Sequence, residues 1–157
     1  MAKEIERRFL VEGTAWRDRV HAVASLEQFY VAAATDRSIR IRISDGGRAM
    51  LTLKFGGQEL SRDEFEYPVP LAEAREMRAF ALGNVIAKTR HSIEVAGYLY
   101  EVDVFEGALA GLIIAELETP DYVADAKLPD WLGREITGES AYYNTMLALH
   151  GRPERQS

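Results

Sequence analysis

Alternation with a period of two runs through most of this chain, and the alternating polar positions carry like charges. Side chains at i and i+2 of a strand share a face, so Glu4/Glu6, Glu64/Glu66, Glu101/Asp103 and Glu116/Glu118 are acidic pairs on single strand faces. Arg40/Arg42 and Lys88/Arg90 are their basic counterparts, with Arg8, Lys54 and Arg62 as single cations. Aliphatic residues fill the intervening positions, as in Ile39-x-Ile41-x-Ile43 and Leu51-x-Leu53-x-Phe55. The pattern predicts strands over 3–11, 28–34, 37–44, 49–55, 60–69, 85–95, 99–105 and 112–119. That is about eight strands, the number found in small antiparallel barrels. Asp45-Gly46-Gly47 and Gly56-Gly57 supply hairpin turns. Helices are predicted over 15–25 behind Thr14, over 71–82 between Pro70 and Gly83, and over 141–150, with Ser140 as cap and Gly151 as stop. The expected class is mainly β (α+β): an eight-stranded antiparallel barrel with a few flanking helices.

The chain has 157 residues, 47% of them hydrophobic, with no linker or repeat, and reads as one domain over 1–157. With no cysteine, thiolate metal sites and disulfides are excluded. The net charge of −6 argues against general nucleic-acid binding. No run is apolar enough to read as a signal peptide or a bilayer span, which makes the cytoplasm the expected location. His21, His91 and His150 lack a metal-ligand spacing and read as structural. Trp16, Trp131 and Phe80 read as packing residues.

Solvated strand faces seldom repeat acid-x-acid pairs. If the charged faces converge inside a barrel, carboxylates and cations meet in a nearly balanced interior. Such an interior costs stability, because each desolvated ion carries a penalty that pairing only partly offsets. A function must then require it. Carboxylates collect a hard cation such as Mg²⁺ or Mn²⁺, whereas Arg and Lys grip phosphate oxygens. A metal–polyphosphate satisfies both sets. No Gly-Lys dipeptide is present, so the site is not a P-loop. The aliphatic faces would lie outside under the helices, and any apolar remainder suggests a homodimer surface.

The ordered set Glu4-Ile5-Glu6-Arg7-Arg8, Gln28-Phe29-Tyr30, Arg40-Ile41-Arg42, Leu51-Thr52-Leu53-Lys54, Arg62-Asp63-Glu64-Phe65-Glu66, Lys88-Thr89-Arg90, Glu101-Val102-Asp103 and Glu116-Leu117-Glu118 resembles the signature of the CYTH superfamily, the triphosphate tunnel metalloenzymes. The tail Trp131–Thr137 with Tyr143-Asn144 resembles its short bacterial branch. The resemblance implies an eight-stranded tunnel that binds Mg²⁺ or Mn²⁺ and hydrolyses inorganic tripolyphosphate to pyrophosphate and phosphate. Adenylate cyclisation, thiamine triphosphate hydrolysis and non-catalytic polyphosphate binding are the alternatives. By the same resemblance Glu4, Glu6, Glu116 and Glu118 are metal ligands. Glu64, Glu66, Glu101 and Asp103 are candidates for a second metal or for orienting water. Arg40, Arg42, Lys54, Lys88 and Arg90 grip phosphate, joined by Arg62. Arg8 stands where the family has Lys, paired with Tyr30. Arginine stays protonated at any usable pH, so Arg8 is expected to act as an electrostatic clamp that Tyr30 positions.

Overall fold

The computed structural model describes residues 5–56 and 63–153; Glu4, Gly57 and Arg62 lie outside them. One antiparallel sheet organises the chain. Its strands are β1 (Ile5–Val11), β2 (Val20–Ala34), β3 (Arg37–Ser44), β4 (Arg48–Phe55), β5 (Asp63–Val69), β6 (Leu82–Val95), β7 (Tyr98–Phe105), β8 (Ile113–Thr119) and β9 (Leu132–Glu135). Their order across the sheet is β5-β4-β3-β2-β6-β7-β8-β1-β9. The predominantly antiparallel β class is as expected, but two details differ. There are nine strands rather than eight, and the sheet is not closed: among the described residues β5 and β9 are its edges. The ninth strand escaped the period-2 reading because it is only 4 residues long.

The sheet is nonetheless strongly curled. β1 and β2 are separated by β6, β7 and β8, which would place them about 19 Å apart in a flat sheet. Yet Leu10 of β1 and Tyr30 of β2 belong to one apolar cluster with Ile86, Phe105 and Ile114. At the β3–β4 turn Asp45 and Gly46 both take positive φ, as a tight hairpin requires, and Asp45 Oδ1 accepts the Ser25 N–H at 2.9 Å.

The expected helix over 15–25 is replaced by a 3₁₀ turn, Ala15–Arg19, and then by β2. Ala22, Val23 and Ala24 carry no strong local preference, and pairing of β2 with β6 from Val20↔Ile93 onward decides the matter. Thr14 makes no side-chain cap. The second helix, α1 (Leu71–Met77), runs on as a 3₁₀ turn through Phe80. Gly83 is not its stop signal but part of β6, with φ +62 and a Cβ position that would fall 2.2 Å from the Ala148 carbonyl oxygen. The last helix, α2 (Asn144–His150), starts after Tyr143, and Ser140 opens a separate 3₁₀ turn.

Two apolar clusters cover the convex face. Phe29, Ile41, Ile43 and Ala49 pack under Ala74 of α1 with Leu71 and Met77. Val11, Ile93, Tyr100, Val102, Ala115 and Leu117 pack under Trp16, Val123 and the segment through Trp131 and Leu132. Trp131 meets Tyr100 edge to face at 5.5 Å. Phe80, expected to pack, is instead 72% exposed. His91 lies in the outer layer, with Nδ1 3.2 Å from the Val102 carbonyl and its ring against Trp16. α2 does not cover the outside. Its Leu147 and Ala148 join Tyr30, Ile86, Phe105 and Ile114, residues whose strand positions put them on the same face as the charged pairs.

Candidate functional site

The register of the sheet gathers the charged residues onto one face. Directly opposite partners share a face, so the pairings can be followed from edge to edge. Glu64 faces Lys54, and Glu66 faces Thr52. Thr52 faces Arg40; Arg40 faces Tyr30, and Arg42 faces Gln28. Across β6 and β7, Arg90 faces Asp103. Glu101 faces Glu116, and Glu116 and Glu118 face Arg8 and Glu6. Every expected site residue among those described lies on this inner face; Glu4 and Arg62 fall outside the described residues. The strand order also sorts the charges. Cations on β4, β3 and β6 form a basic band, flanked by acidic residues on β5 and on β7, β8 and β1.

At the centre the ions are buried and tightly paired. Lys88 is 1% and Asp103 2% exposed, and Lys88 Nζ lies 2.8 Å from Asp103 Oδ2. Arg90 donates bidentately to Asp103 at 2.8 and 2.9 Å and reaches Glu101 at 3.0 Å. Burial opposes the Asp103 charge, but Lys88 and Arg90 outweigh it and hold the carboxyl well below the usual carboxylate range. Burial likewise pushes Lys88 down, partly offset by Asp103. Asp103, expected among the metal candidates, thus has both oxygens committed to cations.

The adjoining cations are less well served. Arg42 donates to Gln28 Oε1 at 2.9 and 2.7 Å. Burial, with Arg40 and Arg90 nearby, pulls it down to about 10. Arg40 donates to Thr52 Oγ1 at 3.3 Å and lies 3.8 Å from Glu66, while Thr52 donates to Glu66 at 3.2 Å. Arg8 donates to the Tyr142 carbonyl at 2.9 Å and pairs with Glu116 at 3.2 Å. That pair is made by Arg8 Nε, out of line for a hydrogen bond, while among the described residues the buried Arg40 Nε and Gln28 Nε2 have no acceptor. Buried donors left in this state are costly, and an anion would satisfy them. Tyr30 sits within electrostatic reach of Arg40, Arg42 and Arg8; burial raises its pKa although the three cations pull the other way, so its hydroxyl is protonated at neutral pH.

Gln28, Thr52 and Asn144 had no assigned role in the sequence reading. Gln28 and Thr52 were legible in principle, standing two residues before Tyr30 and Lys54 on the same strand faces. Asn144, which accepts from Lys88 at 3.4 Å, was not, because only folding brings α2 to β6.

The carboxylate flank offers oxygen donors only, which suits a hard divalent cation. Glu6 and Glu118 are direct cross-strand partners, as are Glu101 and Glu116, and like charges so placed are destabilising unless a cation intervenes. Arg8 and Arg90 supply that cation for Glu116 and Glu101. Among the described residues no group of three His, Cys, Asp or Glu side chains is gathered into a cation site. The donor chemistry fits a metal whose remaining ligands come from phosphate oxygens and water.

The curled antiparallel sheet and its ion-rich inner face give the fold a tunnel-like form, open between β5 and β9 among the described residues. The chain belongs to the CYTH domain family, whose pattern matches residues 2–146; triphosphatases of this family are in general metal-dependent. It is 40% identical over 148 residues to an inorganic triphosphatase of Acetivibrio thermocellus, with 94% of each chain covered. It is 38% identical over 150 residues to an inorganic triphosphatase of Nitrosomonas europaea, covering 93% of this chain and 97% of that one. A crystal structure of an inorganic triphosphatase superposes with TM-score 0.71 at 31% identity, covering 98% and 99% of the two chains. Among the described residues no helix is long and apolar enough to cross a membrane.

Proposed function

We propose that this protein is a metal-dependent inorganic triphosphatase that hydrolyses tripolyphosphate to pyrophosphate and phosphate. The observation that carries the reading is the pair of buried inner-face donors without acceptors among the described residues, Arg40 Nε and Gln28 Nε2, beside Arg42 and Arg8. The relatives named inorganic triphosphatase supply the substrate class.

In this reading Arg8, Arg40, Arg42, Lys54, Lys88 and Arg90 grip the phosphate chain, and Asp103 orients Lys88 and Arg90. Arg62 belongs to the same proposed set. Glu4, Glu6, Glu116 and Glu118 hold Mg²⁺ or Mn²⁺, with Glu101 beside them; when bound, the metal supplies charge neutralisation at phosphate oxygens. Water attacks a terminal phosphorus in line. The new O–P bond forms as the bridging P–O bond breaks, the electron pair leaving with pyrophosphate. The basic band stabilises the charge on the transferring and leaving groups, and Glu64 or Glu66 accepts the proton of the attacking water. Arg8 is an electrostatic clamp, and Tyr30 positions it through a hydroxyl oxygen that can accept from a guanidinium. A cytoplasmic location, and a homodimer formed through the exposed outer aromatics Phe65 and Tyr67, complete the proposal.

The test is phosphate release from tripolyphosphate with and without Mg²⁺ or Mn²⁺, beside ATP, thiamine triphosphate and pyrophosphate, with cyclic AMP assayed in the same samples. Metal-dependent cleavage of tripolyphosphate, lost in a folded Glu4→Gln/Glu6→Gln variant, is expected. Tight binding without turnover leaves a polyphosphate-binding module, and cyclic AMP formation makes the protein a cyclase.

A further inference from the structure

The tail 131–137 has no part in the chemistry above, yet it grips Arg8 of β1. β9 packs against β1 so closely that a Cβ at Gly133 would lie 2.7 Å from the Leu10 carbonyl oxygen. Ile136 N donates to the Arg8 carbonyl at 2.8 Å. The Arg8 N–H donates to Thr137 Oγ1 at 3.0 Å. Thr137 Oγ1 donates in turn to Glu135 Oε2 at 2.6 Å. Arg7 holds that carboxylate from below, donating through Nε to Oε2 at 2.8 Å and through Nη2 to Oε1 at 2.6 Å. Arg7 is anchored further by the Val123 carbonyl at 2.8 Å and Asp125 at 3.0 Å.

The hydroxyl of Thr137 therefore has a fixed direction. Its proton has two acceptors in reach, the Arg8 carbonyl at 3.4 Å and the Glu135 carboxylate at 2.6 Å; it goes to the nearer one, which is charged, and a lone pair is left for the Arg8 amide. Both backbone groups of Arg8 and, through the Tyr142 carbonyl, its guanidinium are held by one C-terminal segment. We propose that Thr137, oriented by the Arg7–Glu135 pair on the outer side of the sheet, is a positioning residue that sets where Arg8 presents its guanidinium to the phosphate chain. This rests on the triphosphatase reading for its substrate. A bidentate or point contact to phosphate depends on placement, and a displacement on the order of 1 Å costs up to about 100-fold in rate.

The test is a double-mutant cycle between Thr137→Val and Arg8→Gln, read on kcat/KM for tripolyphosphate and on tripolyphosphate affinity by calorimetry. Thr137→Val alone is expected to lower kcat/KM by about 10-fold, and Thr137→Ser to restore it to within about 2-fold. In the Arg8→Gln background Thr137→Val should change nothing further, because the group it positions is gone. A purely structural role for Thr137 predicts the same loss in both backgrounds, and that result overturns the proposal, as does failure of Ser to rescue. If Thr137→Val does not fold, Glu135→Gln, which leaves the Thr137 hydroxyl free to turn, goes through the same cycle. Absence of turnover by the unmodified protein sinks the hydrolase reading alone, since the cycle is then read on affinity. Affinity independent of Arg8 sinks the positioning proposal.

Discussion

Arg7 and Arg8 are consecutive on β1, with side chains each 7% exposed, and they point to opposite faces of the sheet. On the outer face Arg7 donates from all three guanidinium nitrogens: Glu135 takes two of its N–H groups, and Asp125 and the Val123 carbonyl take one each. The rings of Phe9 and Tyr122 lie 5.2 and 5.1 Å from its guanidinium carbon. On the inner face Arg8 shares its surroundings with Arg40 and Arg42; its Nε lies 3.2 Å from Glu116, out of line for a hydrogen bond, and the Tyr142 carbonyl takes one N–H. Burial is equal, so burial does not separate a structural ion from a ligand-binding one. The hydrogen bonds do. A guanidinium that donates from all three nitrogens holds the fold together, and one with fewer aligned bonds, among other cations, keeps N–H groups for a further anion.

The comparison is broken most directly on the inner face. Arg42→Met is expected to lower kcat/KM for tripolyphosphate by on the order of 10²–10³-fold. Its effect on stability should stay within about 1 kcal/mol, because a buried cation that Arg40 and Arg90 already destabilise is being removed. Activity assays alongside denaturant unfolding check both halves; a large stability loss would place Arg42 in the Arg7 class. Chelation of divalent metal should abolish turnover, and readdition of Mg²⁺ or Mn²⁺ should restore it.

On the outer face the opposite balance is expected. Arg7→Met should cost roughly 2–3 kcal/mol in urea unfolding, less than a fully buried pair would because Glu135 is 37% exposed. A loss below about 0.5 kcal/mol would deny the Arg7 cluster its structural role. The smallest effect concerns pH. The hydrogen bonds from Arg7 and from Thr137 depress the Glu135 pKa below its ordinary 4.5. Its contribution to stability is therefore complete above about pH 4.5 and is lost as pH falls through the lowered folded value. Glu135→Gln should flatten that acid limb of the stability curve by a few tenths of a kcal/mol, and thermal melts between pH 3 and 6 measure it.

The charged faces of the candidate site were legible because the strand period does not depend on neighbours. Each charged pair, from Glu6 with Arg8 to Glu116 with Glu118, was placed on one strand face by spacing alone, and the family resemblance put those faces in order. The same local logic misread 15–25, where small residues tolerate a helix until β6 offers a partner, and it placed α2 outside the sheet. Periodicity says which residues share a face of a strand; it says nothing about which strands adjoin.

By itself the sequence determined an antiparallel β protein, one charged and one apolar side to its strands, and the residue types that a polyphosphate and a metal require. Tertiary structure decided that β6 lies between β2 and β7, and so gathered Lys88, Arg90 and Asp103 into one buried cluster beside Arg42. It also sent Arg7 outward to Glu135, inserted α2 at one end of the inner face, and left the sheet of described residues curled rather than closed. Those outcomes depend on hydrogen-bond pairing and burial between segments far apart in the chain, and no local pattern encodes which distant segment wins.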